Sequence, residues 1–391
     1  MRSFSAFKFQ LFTLNHSSNS DAPFDLRPLT SDLRGLRVCF LAGTLGQGGA
    51  ERQLFYMLKC LKECGAAVNL LTLTQDEYWE APIRELGVPL HFVGDSPSRL
   101  ARLLKITKTV GRLKPDFVQS QHFYTNIYSA ISGRFSKRPS IGAVRNNVSS
   151  EINDSGAVLG RLSIALPSLL AANSQGAIDM LSEFGWRPSR FFFLPNVIDT
   201  ERFQPGPQHP PQPYTILGIG RLVPQKRFDR FIRVAQRAAV SLKQPVRVWI
   251  AGEGPERPAL LHLIEHATGP KLEISLLGRV ADPLYLYQTA DVFLLTSDHE
   301  GTPNVVMEAL ACGLPVVATK VGDVPELVQH GFNGYLFDPS DESAMTDALV
   351  RLADPDLRSS MRRKCRAGLE AGHALDQLPV FLAQLYAHAR S

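Results

Sequence analysis

The sequence predicts an α/β protein made of two doubly wound, Rossmann-like domains that face each other across a cleft. Three observations carry that prediction. At 391 residues the chain is long enough for two or three domains, taking one per ~150 residues. From residue 37 short apolar runs alternate with longer amphipathic segments, the pattern of βαβ units around a parallel sheet. The alternation breaks once, at 204–213 (QPGPQHPPQP), where five prolines in ten residues exclude a helix or a central strand. It then restarts.

Taken in order, the first half predicts strands at 37–42, 68–74, 88–93, 117–120, 140–144, 169–172 and 191–194, with helices such as 51–65 and 99–114 between them. The second half predicts strands at 215–220, 246–251, 274–277, 292–295 and 316–319. The organisation is therefore an N-terminal extension (1–35), a first domain (36–203), a Pro-rich linker (204–213), a second domain (214–376) and a final segment (377–391). Ligands of doubly wound sheets bind outside the carboxyl ends of the strands, so the chemistry is expected in the interdomain cleft.

Composition narrows the class. Hydrophobic residues make up 44% and charged residues 20% of the chain, which excludes wholesale disorder. Domains of this size bury enough surface to fold without a disulfide or metal staple. The five cysteines (39, 60, 64, 312 and 365) are scattered and odd in number, as in a reducing cytosol, and they form no zinc signature. No apolar run reaches the ~18 residues of a spanning helix. At the N-terminus Lys8 and Gln10 interrupt the apolar residues and no small-residue cleavage site follows, so a secretory signal is not expected. Phe4, Phe7, Leu11 and Leu14 fall at helical spacing, which leaves a short interfacial helix or a loose tail as readings of this extension.

Net charge is +5, unevenly spread: residues 1–200 hold 22 Lys/Arg against 16 Asp/Glu, and the remainder 20 against 21. Arg99, Arg102, Lys105, Lys108, Arg112 and Lys114 share one segment with Leu100, Leu103, Leu104, Val110 and Leu113. Such a helix is either the solvated face of an ordinary domain or a surface for an anionic bilayer. Nucleic acid is not indicated, since no aromatic-interleaved basic stripe or nucleic-acid motif is present.

Three loops carry candidate chemistry. The first is SDHEGTPNVVMEALACGLPVVATKVGDVPELV, 297–328, which follows an apolar strand. Pro303 suits a first helical turn, a helix is expected over 304–312, and Gly313 stops it. Free N–H groups at that helix start suit a phosphate. Glu300 precedes the turn, and Glu308 lies among Val305, Val306, Met307, Ala309 and Leu310, where a buried acid needs a partner. The second loop is GRLVPQK, 220–226, after the first strand of the second half, where Arg221 and Lys226 are candidates for a diphosphate. The third is GTLGQGGAE, 43–51, whose glycines permit close backbone approach to a ligand. It is not a dinucleotide fingerprint, because Glu51 stands where the third glycine would fall.

Together the SDHEGTPN loop with Glu308, GRLVPQK, PNVID (195–199) and GGAER (48–52) resemble glycosyltransferase family 4. Ala172-Asn173-Ser174, 251–255 (AGEGP) and Gly278-Arg279-Val280 extend the resemblance, which covers about residues 36–385. It implies a GT-B fold, with the last helix (377–391) crossing back to the first domain, and a retaining, metal-independent transferase with no cofactor. The donor would be a nucleoside-diphosphate sugar, UDP- or GDP-linked, and the acceptor a glycan or lipid-linked glycan. The implied donor site is Arg221 and Lys226 on the diphosphate, Glu308 on the ribose, and Glu300 with Gly301, Thr302, Pro303, Asn304 and Val305 on sugar and phosphates. Arg279 and Val280 would lie near the base, while Gly48 and Gly49 close the cleft from the first domain.

The resemblance further implies that Arg221, Lys226 and Glu300 serve catalysis directly, by front-face attack in which the leaving phosphate takes the acceptor's proton. Family members carry a histidine after the strand that here reads PDFVQSQH, 115–122; in one register the family positions fall on Gln119 and Gln121. His122 is then either an acceptor-side contact or a loop histidine. A cytoplasmic enzyme, at the inner face of the membrane for a lipid-linked acceptor, fits the basic first half. The alternatives are a non-catalytic nucleotide-sugar-binding subunit and an NAD-dependent oxidoreductase. The latter lacks the full glycine fingerprint.

Overall fold

The computed structural model of the protein describes residues 31–207, 213–267, 271–370 and 372–390. The 1–30 part of the extension, including its helical-spacing aromatics, and 208–212 of the linker lie outside the described residues.

Two parallel sheets form the frame. The first contains β1 (Arg37–Ala42), β2 (Ala67–Thr72), β3 (Leu90–Phe92), β4 (Phe117–Ser120), β5 (Ser140–Val144), β6 (Leu169–Ala172) and β7 (Phe191–Phe193), in the order 3-2-1-4-5-6-7. The second contains β8 (Tyr214–Ile219), β9 (Val246–Ala251), β10 (Leu272–Gly278), β11 (Val292–Leu295), β12 (Val316–Thr319) and β13 (Gly334–Phe337), in the order 10-9-8-11-12-13. Every pairing within them is parallel. In both sheets the winding reverses beside the first strand, between β1 and β4 and between β8 and β11, and ligands of this fold bind at such switch points.

The alternation of apolar and amphipathic segments produces this architecture because both faces of each sheet must be covered. On one face of the first sheet Val38, Phe40, Phe117 and Ile141 pack with Leu54, Leu58 and Leu61 of the Gly49–Glu63 helix. The C-terminal helix Leu378–Arg390 joins that same core through Leu378, Leu382, Leu385 and Tyr386, so the chain does cross back from the second sheet to the first. The Tyr386 hydroxyl donates to Gln119 Oε1 at 2.7 Å, giving the helix a fixed polar anchor in an apolar core. The crossing is pinned where Ile198 N–H donates to His373 O at 2.7 Å and Leu375 N–H to Ile198 O at 3.0 Å.

Several elements differ from the sequence reading at their ends. The strand expected at 68–74 stops at Thr72, whose hydroxyl donates to Thr74 O at 2.8 Å and turns the chain. The helix expected from 51 starts at Gly49. β13 was not legible: four residues beginning with Gly334, directly after Asn333, give too short an apolar signal to separate from a turn.

Candidate active site

The loop that begins at Thr296 follows β11 and is stitched to the loop after β8. Thr296 Oγ1 donates toward Arg227 O at 3.0 Å, Gln225 Nε2 donates to His299 O at 2.6 Å, and Asp298 N–H donates to Gln225 O at 2.9 Å. Arg227 (φ +51°) and Arg230 both bind the Asp298 carboxylate, fixing the base of the loop. The result brings Lys226 Nζ to 2.6 Å from Glu300 Oε1, the same oxygen that accepts from Ser297 Oγ at 2.6 Å. Glu300 is 9% exposed, so this charged pair sits at the edge of solvent rather than in it. Arg221 lies on the same loop as Lys226, but its side chain is exposed and the structure does not bring it to the pair.

The turn after Glu300 is held from three directions. Gly322 adopts φ +52°, and a Cβ there would fall 2.3 Å from Glu300 O, so only glycine lets the next loop pass behind the acid. Thr302 Oγ1 lies 2.7 Å from Asn173 O and 2.8 Å from Asp323 Oδ2, and Asp323 Oδ1 accepts from Ser174 Oγ at 2.7 Å. Asn196 Nδ2 donates to Thr302 O and to Asn304 Oδ1, both at 3.0 Å. Pro303 is the residue before the helix Asn304–Ala311 rather than its first residue, and it takes an extended conformation. The helix ends at Ala311 with Cys312 as cap, one residue short of the expected end.

The first domain meets this loop through its glycine-rich segment. Gln47 Nε2 donates to Val280 O at 2.9 Å, so the strip expected near the base is held from across the cleft. At Gly49 a Cβ would stand 2.5 Å from Asn304 Nδ2, so a side chain there would displace the Asn304 amide. Gly48 in turn lies under the Glu51 carboxylate. Glu308 has the partner that its apolar flanks require: it forms an ion pair with Arg52 of the first domain, and its own side chain is 2% exposed. Burial pushes the neighbouring Tyr287 hydroxyl well above the usual tyrosine range, and Glu308 adds to that.

His122 lies one residue beyond Gln121 after β4. Its Nδ1 accepts from Gly43 N–H at 3.0 Å, so the neutral ring carries its proton on Nε2, which stands 3.2 Å from Glu51 Oε1. The Tyr124 ring stacks on it with centroids 5.5 Å apart. Gln119 is committed to Tyr386, and Gln121 donates to Ala50 O. A cleft of about 250 Å³ runs beside Glu300, between Asn146, Asn147 and Ser174 of the first domain and Gly301 and Gly322 of the second.

Asn173, Ser174 and Asn196 stand in motifs legible in the sequence, but their part in holding the turn after Glu300 was not. Arg52 and Asp323 were missed as well, because a pairing across two domains leaves no local spacing to read. The sequence reading expects no Asp-x-Asp triplet, but the chain has one, Asp354-Pro355-Asp356; it caps a helix, Asp354 Oδ1 accepting from Asp356 N–H at 2.8 Å and Leu357 N–H at 3.3 Å.

Two Rossmann-ordered sheets with a charged loop at each facing edge define the GT-B class. The chain belongs to glycosyltransferase family 4: residues 47–202 match the family described as Glycosyltransferase Family 4, and residues 213–354 match Glycosyl transferases group 1. Lipopolysaccharide core biosynthesis glycosyltransferase LpsE of Rhizobium meliloti is 26% identical over 329 residues, 81% of this chain and 89% of that protein. UDP-Gal:alpha-D-GlcNAc-diphosphoundecaprenol alpha-1,3-galactosyltransferase of Escherichia coli is 30% identical over 190 residues, 46% of this chain and 49% of that protein. Matches at 30% identity or above thus span a third to a half of the relatives' length. Anabaena HepE, solved with UDP and glucose, shares the fold at a TM-score of 0.78 and 20% identity, over 90% of this chain and 99% of that one.

Proposed function

We propose that the protein is a retaining glycosyltransferase that moves a hexose-type sugar from a nucleoside-diphosphate sugar to a glycan or lipid-linked glycan acceptor in polysaccharide assembly. The observation that carries this is the Lys226–Glu300 pair, set beside the β8/β11 switch point and facing the interdomain cleft. A sugar leaves its diphosphate through an oxocarbenium-like state while negative charge grows on the departing phosphate. Lys226 is placed to stabilise that charge, with Arg221 free to swing in from the loop's exposed rim. The C1–O bond to phosphate breaks as the acceptor oxygen bonds C1 from the same face, and the acceptor's proton passes to the leaving phosphate oxygen. No divalent metal or cofactor enters this scheme; the nucleotide sugar is a substrate. Glu308 takes the ribose, Gly301–Val305 the sugar and phosphates, and Val280 the base edge, with Gly49 closing on the donor and Gly48 and His122 on the acceptor side.

UDP is the donor nucleotide this reading favours over GDP, because the E. coli relative is described as using UDP-Gal and HepE was solved with UDP. A lipid-linked acceptor also fits the helix Arg99–Leu113, which exposes 66% of Leu100 and 63% of Leu104 beside Arg99, Lys108 and Arg112. Phe135, 75% exposed, and Arg134, Lys137 and Arg138 continue that surface. Apolar anchors within a basic field suit the anionic face of a cytoplasmic membrane. Among the described residues no helix is long and apolar enough to cross one.

The test is turnover against a panel of UDP-, GDP-, ADP- and CMP-sugars, with the anomeric configuration of the product read by NMR. An α-linked product from an α-linked donor supports the reading, and inversion refutes the front-face route. Flotation with anionic vesicles tests the membrane surface, and equal recovery on neutral vesicles contradicts it.

A further inference from the structure

The carboxyl edge of the first sheet holds three polar side chains with unmet hydrogen-bonding capacity. Gln121, Arg145 and Asn173 are the first residues past β4, β5 and β6, three adjacent strands. Gln121 is fully buried and Asn173 is 3% exposed, and in each the amide NH₂ is used while the carbonyl oxygen has no partner. In Arg145 both Nε and Nη2 are buried without a partner. Glu151 is near enough to act on that guanidinium through space, but no ion pair joins them.

These residues also share a face. Gln119, Ile141 and Leu169 turn toward the core that holds the Gly49–Glu63 helix and the C-terminal helix. Side chains alternate along a strand, so steps of two carry that face to Gln121, Arg145 and Asn173. β5 and β6 pair Val144 with Ala172, which leaves Arg145 and Asn173 side by side, about 5 Å apart at strand spacing. The same edge abuts the donor loop: Asn173 O contacts Thr302 Oγ1, and Arg145 O lies 2.9 Å from where a Cβ on Gly301 would stand. Asn146 and Asn147, next in sequence to Arg145, line the cleft beside Glu300.

Arg145 is only half-buried as a residue, but its Nε and Nη2 are shut away from water without an anion, a desolvation penalty that pushes its pKa down to about 10. An unmatched donor pair beside two unmatched acceptors, next to the sugar-transfer position, describes a partner with a negative group and hydroxyls. We propose that Arg145, flanked by Gln121 and Asn173, forms a subsite for an anionic group on the acceptor, phosphate or carboxylate, with the two amide oxygens accepting from acceptor hydroxyls. The assignment to the acceptor rests on the glycosyltransferase reading above. The anion site itself does not.

The test uses the full chain with inorganic phosphate and acetate as probes, followed by thermal unfolding of wild type, Arg145→Met, Arg145→Lys and Lys226→Ala. Without anion, Arg145→Met is expected to melt no lower than wild type, because it replaces two buried, unpartnered guanidinium nitrogens with an apolar chain. Saturating phosphate, or acetate if the group is a carboxylate, is expected to raise the wild-type and Lys226→Ala midpoints by about 2 °C or more. That response is lost in Arg145→Met and partly restored in Arg145→Lys. In transfer assays Arg145→Met is expected to lower kcat/KM for a phosphate-bearing glycan about 30-fold or more, with little change for its methyl glycoside.

Anion responses that are equal in wild type and Arg145→Met overturn the proposal, as does a clearly lower Arg145→Met midpoint without anion. UDP serves as the separate control. If UDP fails to stabilise wild type while the Arg145-dependent anion response persists, the donor reading falls and the anion site stands.

Discussion

The two loop edges that face the cleft are built differently. On the second sheet the acids of the facing loops are all paired: Glu300 is held by Lys226 and Ser297, Asp298 by Arg227 and Arg230, and Asp323 by Thr302 and, from the first domain, Ser174. On the first sheet the corresponding edge leaves buried atoms of Gln121, Arg145 and Asn173 unmatched. A satisfied loop is preorganised, so charge developing on a leaving phosphate meets groups already in place. An unmatched edge instead gains most of its hydrogen bonds from what it binds. On the function proposed above, the preorganised loop of the second domain is the donor side and the unmatched edge of the first domain is where an acceptor is chosen.

The largest expected effect comes from the donor loop. Glu300→Gln should lower turnover by about 10²- to 10³-fold, the range for removing one preorganised electrostatic group. Steady-state kinetics with a fixed donor check this, and nucleotide affinity should change little by comparison. A loss confined to affinity would show that Glu300 only binds. Next is the ion pair that joins the domains. Arg52→Ala leaves Glu308 buried and uncompensated and should destabilise the fold by about 3 kcal/mol, measured by urea unfolding. If stability is unchanged, Glu308 has relaxed to solvent and the cleft is less closed than described.

A pH experiment probes the unmatched edge. Burial pushes the Glu151 carboxyl up to about 7, so the native chain keeps a proton that the unfolded chain releases near its ordinary value. Native proton excess means that this group's contribution falls as pH rises from about 4.5 to 7. Glu151→Gln should therefore match wild type below about pH 4.5 and exceed it by up to about 3 kcal/mol above pH 7. A gain that is equal at both ends would place Glu151 in water. The smallest effect is expected from Ser174→Ala, which removes the hydroxyl bound to Asp323 and the cap on Ala177 N–H, costing about 1–2 kcal/mol in thermal unfolding.

Much of this was legible in one dimension. The period of apolar runs gives two wound sheets because parallel strands bury both faces and need crossover helices. Glu300, Lys226 and the Asn304 helix are readable since each lies within a few residues of a strand end and a turn signal. Arg52, Asp323 and Asn196 act only through residues more than a hundred positions away or on a different loop, and no spacing encodes such a meeting. Arg145 was invisible for another reason. A lone arginine after a strand is commonplace, and only its buried, unpartnered Nε and Nη2 set it apart. Glu308 lies between these cases: its apolar neighbours announce a need for a partner without naming Arg52.

The most direct test of the central claim is calorimetric binding of the nucleoside diphosphates UDP and GDP to wild type and Lys226→Ala. The account predicts that one nucleotide binds wild type and that its affinity falls about 10- to 100-fold in the variant, the loss of one charge-assisted hydrogen bond. Equal affinity in both proteins would contradict the assignment of the donor diphosphate to the Lys226–Glu300 edge.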